Sequence, residues 1–183
     1  MNHTLHLIAS RRSHRAYEQK QITLEQRTAL LEAAVQSPSA VNRQPWHFTM
    51  VQNKNLLDKI NTYCVENARS KADASPRFAQ DDYHVFYHAP TVIFISGPIG
   101  TSWAPIDCGI AVQTIALAAE SMGLGSVILG MPREAFQGIH GDEVRNELGF
   151  PKGHDFIIAI AVGYPADTKD AHIVEPNKVH IIE

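Results

Sequence analysis

The chain has 183 residues, 44% hydrophobic and 19% charged, a globular balance at a length that suits one compact domain over residues 1–183 and excludes disorder as the main state. Lys and Arg number 16 against 19 Asp and Glu, and the net charge of -3 gives no global attraction for nucleic acid or an acidic membrane, so any anion site is local. Too few apolar residues precede Arg11 and Arg12 for a signal-peptide core, and no later stretch approaches a bilayer span. With Cys64 and Cys108 in neither a Cys-x-x-Cys nor a zinc spacing, the expectation is a cytoplasmic protein whose cysteines are core residues.

Thr4 to Ser10 reads as a short helix running into Arg11-Arg12-Ser13-His14-Arg15. Thr23-Leu24-Glu25-Gln26 is a capping box, and the helix it opens stops at Ser37-Pro38, where proline cannot continue the ladder. Trp46 to Val51 alternates large and polar residues as a strand does. Leu56, Leu57, Ile60, Tyr63 and Cys64 recur at helical spacing and predict a helix from Asn55 to about Asn67, followed by a polar loop from Ser70 to Gln80. Thr91 to Ser96 is a continuous apolar run suited to a strand buried on both faces.

Pro105 to Met122 is a helix apolar nearly all round, which must be central or lie in an oligomer interface. Gly123 supplies its left-handed stop, and Ser126 to Leu129 is a third strand. Asp142 to Leu148 reads as a short charged helix and Phe156 to Val162 as a fourth strand. After a polar arm, Val179 to Ile182 predicts a last strand that pairs either with its own sheet or with another subunit. The order is mixed α and β without strict βαβ alternation.

Three segments carry candidate chemistry. Arg11, Arg12 and Arg15 with Ser13 offer forked guanidiniums and a hydroxyl, a set that suits a phosphate monoester, against the alternative of a solvated basic turn. Pro38 to Phe48 places amide side chains at a strand entrance, where they can read the edge of a heterocycle or simply satisfy a loop. Gly123-Leu124-Gly125-Ser126 follows a helix and precedes a strand, the reverse of a dinucleotide loop, so no Rossmann site is expected. His84 and His88, four apart, have zinc-like spacing but no following Glu and no third ligand, and a structural role is expected of them.

Together, Arg11 to Tyr17, Pro38-Ser39 through Asn42-Arg43-Gln44-Pro45-Trp46-His47-Phe48, and Gly123 to Ser126 resemble the nitroreductase family of flavoproteins, in order and separation, and the resemblance covers essentially the whole chain. It implies an α+β, three-layer fold with a mixed, mainly antiparallel central sheet flanked by helices, forming an intertwined homodimer with one FMN in each of two interface sites. It further implies that Arg11, Arg12 and Ser13 hold the phosphate and ribityl chain and that Arg15 lies near the N1/C2 end of the ring. Ser39, Asn42 and Gln44 would come from the other subunit, and Val127, Ile128, Leu129 and Gly130 would supply backbone groups near N5. Lys178 stands where larger relatives carry a phosphate-binding Lys/Arg pair. These relatives also have Pro-x-Glu-Gly where this chain has Ile128-Leu129-Gly130-Met131.

The implied activity is FMN-dependent oxidoreduction in which NADH or NADPH and then a nitroaromatic, quinone or similar small acceptor use the same ring face in ping-pong order. Alternatives are a specialised flavin enzyme of the dehalogenase or flavin-fragmenting type, a non-catalytic FMN-binding module, or a histidine metal protein. No general acid is singled out.

Overall fold

The computed structural model describes residues 2–183. Helix α1 (His3–Ser10) opens on the Asn2 side chain, which accepts the Leu5 amide at 2.9 Å. Helix α2 (Leu24–Val35) carries the expected capping box, with Thr23 Oγ1 accepting the Gln26 amide and Gln26 Oε1 accepting that of Thr23. Strand β1 (His47–Val51), helix α3 (Lys54–Arg69) and strand β2 (Thr91–Pro98) follow. Then come α4 (Ala104–Ser121), β3 (Gly125–Leu129), α5 (Arg133–Gln137), α6 (Gly141–Glu147) and β4 (His154–Gly163). Single turns of tighter helix sit at Ala40–Asn42 and Pro76–Ala79.

The strands form one sheet in the order β1-β2-β4-β3 with every neighbouring pair antiparallel. The expected mixed sheet is thus antiparallel throughout its strands, and its one parallel element among the described residues is an isolated bridge between Ser13 and Ser126. Both faces are covered. On one, Phe94, Phe86, Phe136 and Phe156 pack with Leu57 and Ile60 of α3, and on the other Ile93, Ile95 and Ile160 pack with α2 and α4. Residues Thr91 to Gly97 of β2 are buried, as the unbroken apolar run predicts.

Helix α4 is central, touching β2, β3, β4, α1 and α2 and burying Ala104, Cys108, Ala111, Val112, Ile115, Ala116 and Ala119. Its other side is also apolar and stays in the open: Trp103, Ile106 and Ile110 are 57%, 53% and 38% exposed. Both cysteines are fully buried, and burial pushes each thiol up to about 12. No helix among the described residues is long and apolar enough to cross a membrane.

One expectation is corrected. Val179, Ile181 and Ile182 form no strand and stand 81%, 74% and 88% exposed, because a strand exists only where a neighbour completes its ladder, and within one chain none is provided. Residues 133–137, to which the sequence pattern assigns no element, form the short helix α5, whose Phe136 stacks on Phe156 at 4.7 Å.

Candidate cofactor site

The arginine segment leaves α1 and runs extended beside the edge strand β3. His14 donates its amide to the Ser126 carbonyl at 3.0 Å, and Tyr17 bridges Pro165. Gly125 permits this approach: a Cβ there would stand 2.9 Å from Pro165 Cβ and 3.0 Å from His14 Cγ. Asp167 fixes the segment from the far side, one carboxylate oxygen lying 2.7 Å from His14 Nδ1 and the other accepting the Arg15 amide at 3.1 Å. Burial raises the Asp167 carboxyl, but the bonds from His14, the Arg15 amide and Lys169 outweigh it and hold the group below the ordinary carboxylate range.

Pinned through its backbone, the segment leaves its guanidiniums without carboxylate partners among the described residues. Arg12 Nη1 folds onto the Ala9 and Arg11 carbonyls at 2.6 and 2.9 Å, which caps the carbonyl end of α1. Arg12 Nε is buried with no hydrogen-bond partner at all. Such an orphaned cationic donor carries a desolvation cost that an anion would remove. Arg15 reaches the Ser13 carbonyl at 3.4 Å and lies 5.8 Å from the Tyr87 ring.

The second segment is a strained turn. Val41, Asn42 and Gln44 have φ of 46°, 55° and 47°, a left-handed conformation that costs about 1–2 kcal/mol per L-residue. Ser39 Oγ accepts the Gln44 amide at 2.9 Å, Gln44 Nε2 donates to Asn42 Oδ1 at 3.0 Å, and Asp107 of α4 accepts the Ala40 amide at 3.1 Å. Those bonds over-determine the turn, a pattern that belongs to binding sites.

On β3, Val127 and Leu129 are buried and Ile128 is half-buried, and Gly130 just beyond the strand is exposed. The structure therefore brings the arginine segment and β3 together. It does not join the 39–44 turn to them: no hydrogen bond, bridge or ion pair among the described residues links the two. Lys178 is 69% exposed and pairs with Glu175 at 2.8 Å.

Sequence reasoning missed two parts of this region. Asp107 and Asp167, solitary acids in their stretches, are the clamps of the two segments, and no local pattern marks them. The second part is the turn at 84–88. His84 and His88 are not on a helix; Tyr87 and His88 are consecutive left-handed residues, each with φ 54°. His84 Nδ1 accepts the amides of Phe86 and His88 at 3.3 and 3.4 Å, leaving Nε2 to face Asp58 at 3.3 Å. Burial, reinforced by His88, pushes the His84 pKa down to about 4, so the ring is neutral and structural. Among the described residues no group of three or more His, Cys, Asp or Glu is arranged to hold a metal ion. Beside this turn opens a cleft of about 570 Å³ walled by Arg15, Arg77, Tyr83 and Tyr87.

A helix-covered antiparallel sheet with a cationic segment along one edge defines an α+β protein. The chain belongs to the nitroreductase family, whose sequence pattern matches residues 8–164. A solved nitroreductase from Desulfitobacterium hafniense, described with bound FMN, superposes with a TM-score of 0.94 at 35% identity over 100% of both chains. A protein of Archaeoglobus fulgidus with the provisional name NADH dehydrogenase/NAD(P)H nitroreductase is 31% identical, covering 98% of each chain. The FMN reductase [NAD(P)H] of Bacillus subtilis is 30% identical over 91% of this chain and 68% of its own.

Proposed function

We propose that the protein is an FMN-dependent NAD(P)H oxidoreductase that passes reducing equivalents to nitroaromatic, quinone or similar small acceptors, donor and acceptor occupying one place in turn. The carrying observation is a guanidinium set without carboxylate partners among the described residues, above all the buried and orphaned Arg12 Nε, held along the β3 edge. FMN carried by the Desulfitobacterium relative, and the names of the Archaeoglobus and Bacillus relatives, support the cofactor and the donor.

Arg11, Arg12 and Ser13 hold the phosphate end through charge-assisted hydrogen bonds. Arg15 stands at the pyrimidine end, where its charge favours the reduced ring over the oxidised one. The edge of β3 from Val127 to Gly130 offers backbone groups to the ring. Bound FMN supplies the hydride chemistry, and the protein supplies position, charge and exclusion of water. Lys178, paired with Glu175, would have to leave that partner to reach the phosphate.

The site needs a second copy of the chain. Ser39, Asn42 and Gln44 sit on a turn with no bonding to the arginine segment of the same chain, as expected if each turn serves the partner's flavin. Surface apolar residues agree: Leu5 and Ile8 on α1, Val41 on the turn, Trp103 just before α4, and Ile106 and Ile110 on it are all exposed in one chain. The apolar C-terminal residues add a segment that a partner's sheet edge can take up. Equilibrium titration with FMN tests the reading: saturation at one FMN per chain, in a dimer, is expected, and absence of binding overturns it.

A further inference from the structure

We infer that the cleft beside the 84–88 turn is the acceptor subsite and that it selects an aromatic anion, such as a ring bearing a carboxylate; this rests on the FMN reading above. Its volume of about 570 Å³ lies in the range of small-molecule sites. Arg15 lines it, so a flavin placed against Arg15 would have its ring next to the opening.

The chemistry of the wall is specific. Tyr83 and Tyr87 meet edge to face, centroids 6.4 Å apart, and give a ring-shaped ligand an aromatic corner. Two guanidiniums, Arg15 and Arg77, line the cleft against one carboxylate, Asp82. None of these charged side chains has an ion-pair partner among the described residues. A surplus positive charge next to two tyrosines matches an arene carrying a negative group better than a neutral one.

Strain is the independent second observation. Tyr87 and His88 both hold φ 54°, which bulky residues avoid, and the turn keeps this shape because His84 accepts two of its amides and Asn61 Oδ1 accepts that of Val85 at 2.8 Å. Tyr87 is half-buried against the core and still lines the cleft, so the turn holds part of its ring at the opening.

Benzoate and benzamide share shape and differ in charge, and neither is reduced, so they probe the subsite on the FMN-saturated protein by calorimetry and by perturbation of the flavin spectrum. Benzoate should bind at least about tenfold more tightly, the worth of one charge-assisted contact. Arg77→Gln should erase the preference and leave FMN affinity unchanged, since Arg77 is exposed and its side chain holds nothing else in place. Benzoate should also raise the KM for a nitroaromatic acceptor in the parent and not in Arg77→Gln. Equal binding of the two probes, or a preference that survives Arg77→Gln, overturns the inference. A protein that reduces acceptors but ignores benzoate refutes this subsite alone, whereas one that binds benzoate without taking up FMN refutes the FMN reading.

Discussion

The Asp107 carboxylate, 3% exposed in the first turn of α4, accepts the Ala40 amide at 3.1 Å and so ties the strained 39–44 turn to the most buried helix of the fold. Bonds to a charged acceptor contribute about 1.5–3 kcal/mol, comparable to the strain of one or two left-handed residues. Asp107→Ala should therefore lower unfolding stability by roughly that amount, and Asp107→Asn, which keeps an oxygen acceptor, by less. Denaturant melts of the two variants check this, and equal losses would mean that the carboxylate serves packing and not the turn.

His84 makes stability depend on acid. Its folded pKa of about 4 lies below the ordinary 6.5, so between those values the unfolded chain takes up a proton that the folded chain refuses. The stabilisation is complete above about pH 6.5 and is lost as pH falls toward 4, by up to about 3 kcal/mol for this group. Replacing His84 by Gln should flatten that part of the stability profile, measured by urea melts across the range. A parent-like slope in the variant would assign the acid sensitivity elsewhere.

Arg11 and Arg15 should separate by what they affect. On the proposed site, Arg11→Ala would remove a phosphate contact and should weaken FMN affinity about tenfold to a hundredfold. Arg15→Gln should change oxidised-FMN affinity less and lower the midpoint potential by a few tens of millivolts, where about 30 mV corresponds to 1.4 kcal/mol for two electrons. Fluorescence titration and dye-equilibrated potentials read the two effects, and identical behaviour of the variants would dissolve the assignment of separate ends.

The exposed apolar side of α4 predicts that Ile106→Glu combined with Ile110→Glu converts a dimer to monomers, because a buried unpaired carboxylate costs more than an interface can absorb. Sedimentation velocity should show the change, with flavin released as the subunits part. A double variant that stays dimeric would move the interface off this helix.

Much of the fold could be read directly because its signals are local. Thr23 with Gln26 is a capping box within four residues, the run at Thr91 declares a strand buried on both faces, and Gly123, with φ 71°, ends α4 where expected. What escaped depends on distance. Helix α5 has five residues, too few to display a helical period, and forms because Phe136 joins an aromatic stack built by β2 and β4. The apolar pattern at Val179 to Ile182 states that a strand wants a neighbour and says nothing about which chain supplies it. Arg11, Arg12 and Arg15 were legible as a cluster, but Asp107 and Asp167 act across 67 and 152 residues of sequence. His84 and His88 have the spacing of helical ligands and sit instead in a left-handed turn, a geometry no spacing rule encodes.

The central claim is that this chain binds FMN and lets a nicotinamide reduce it. Anaerobic addition of NADH or NADPH to the FMN-saturated protein, followed at the yellow flavin band, tests it most directly: the band should bleach within seconds and return when a nitroaromatic or quinone acceptor is added. A bound flavin that neither nucleotide bleaches would contradict the account and leave the protein a carrier of FMN.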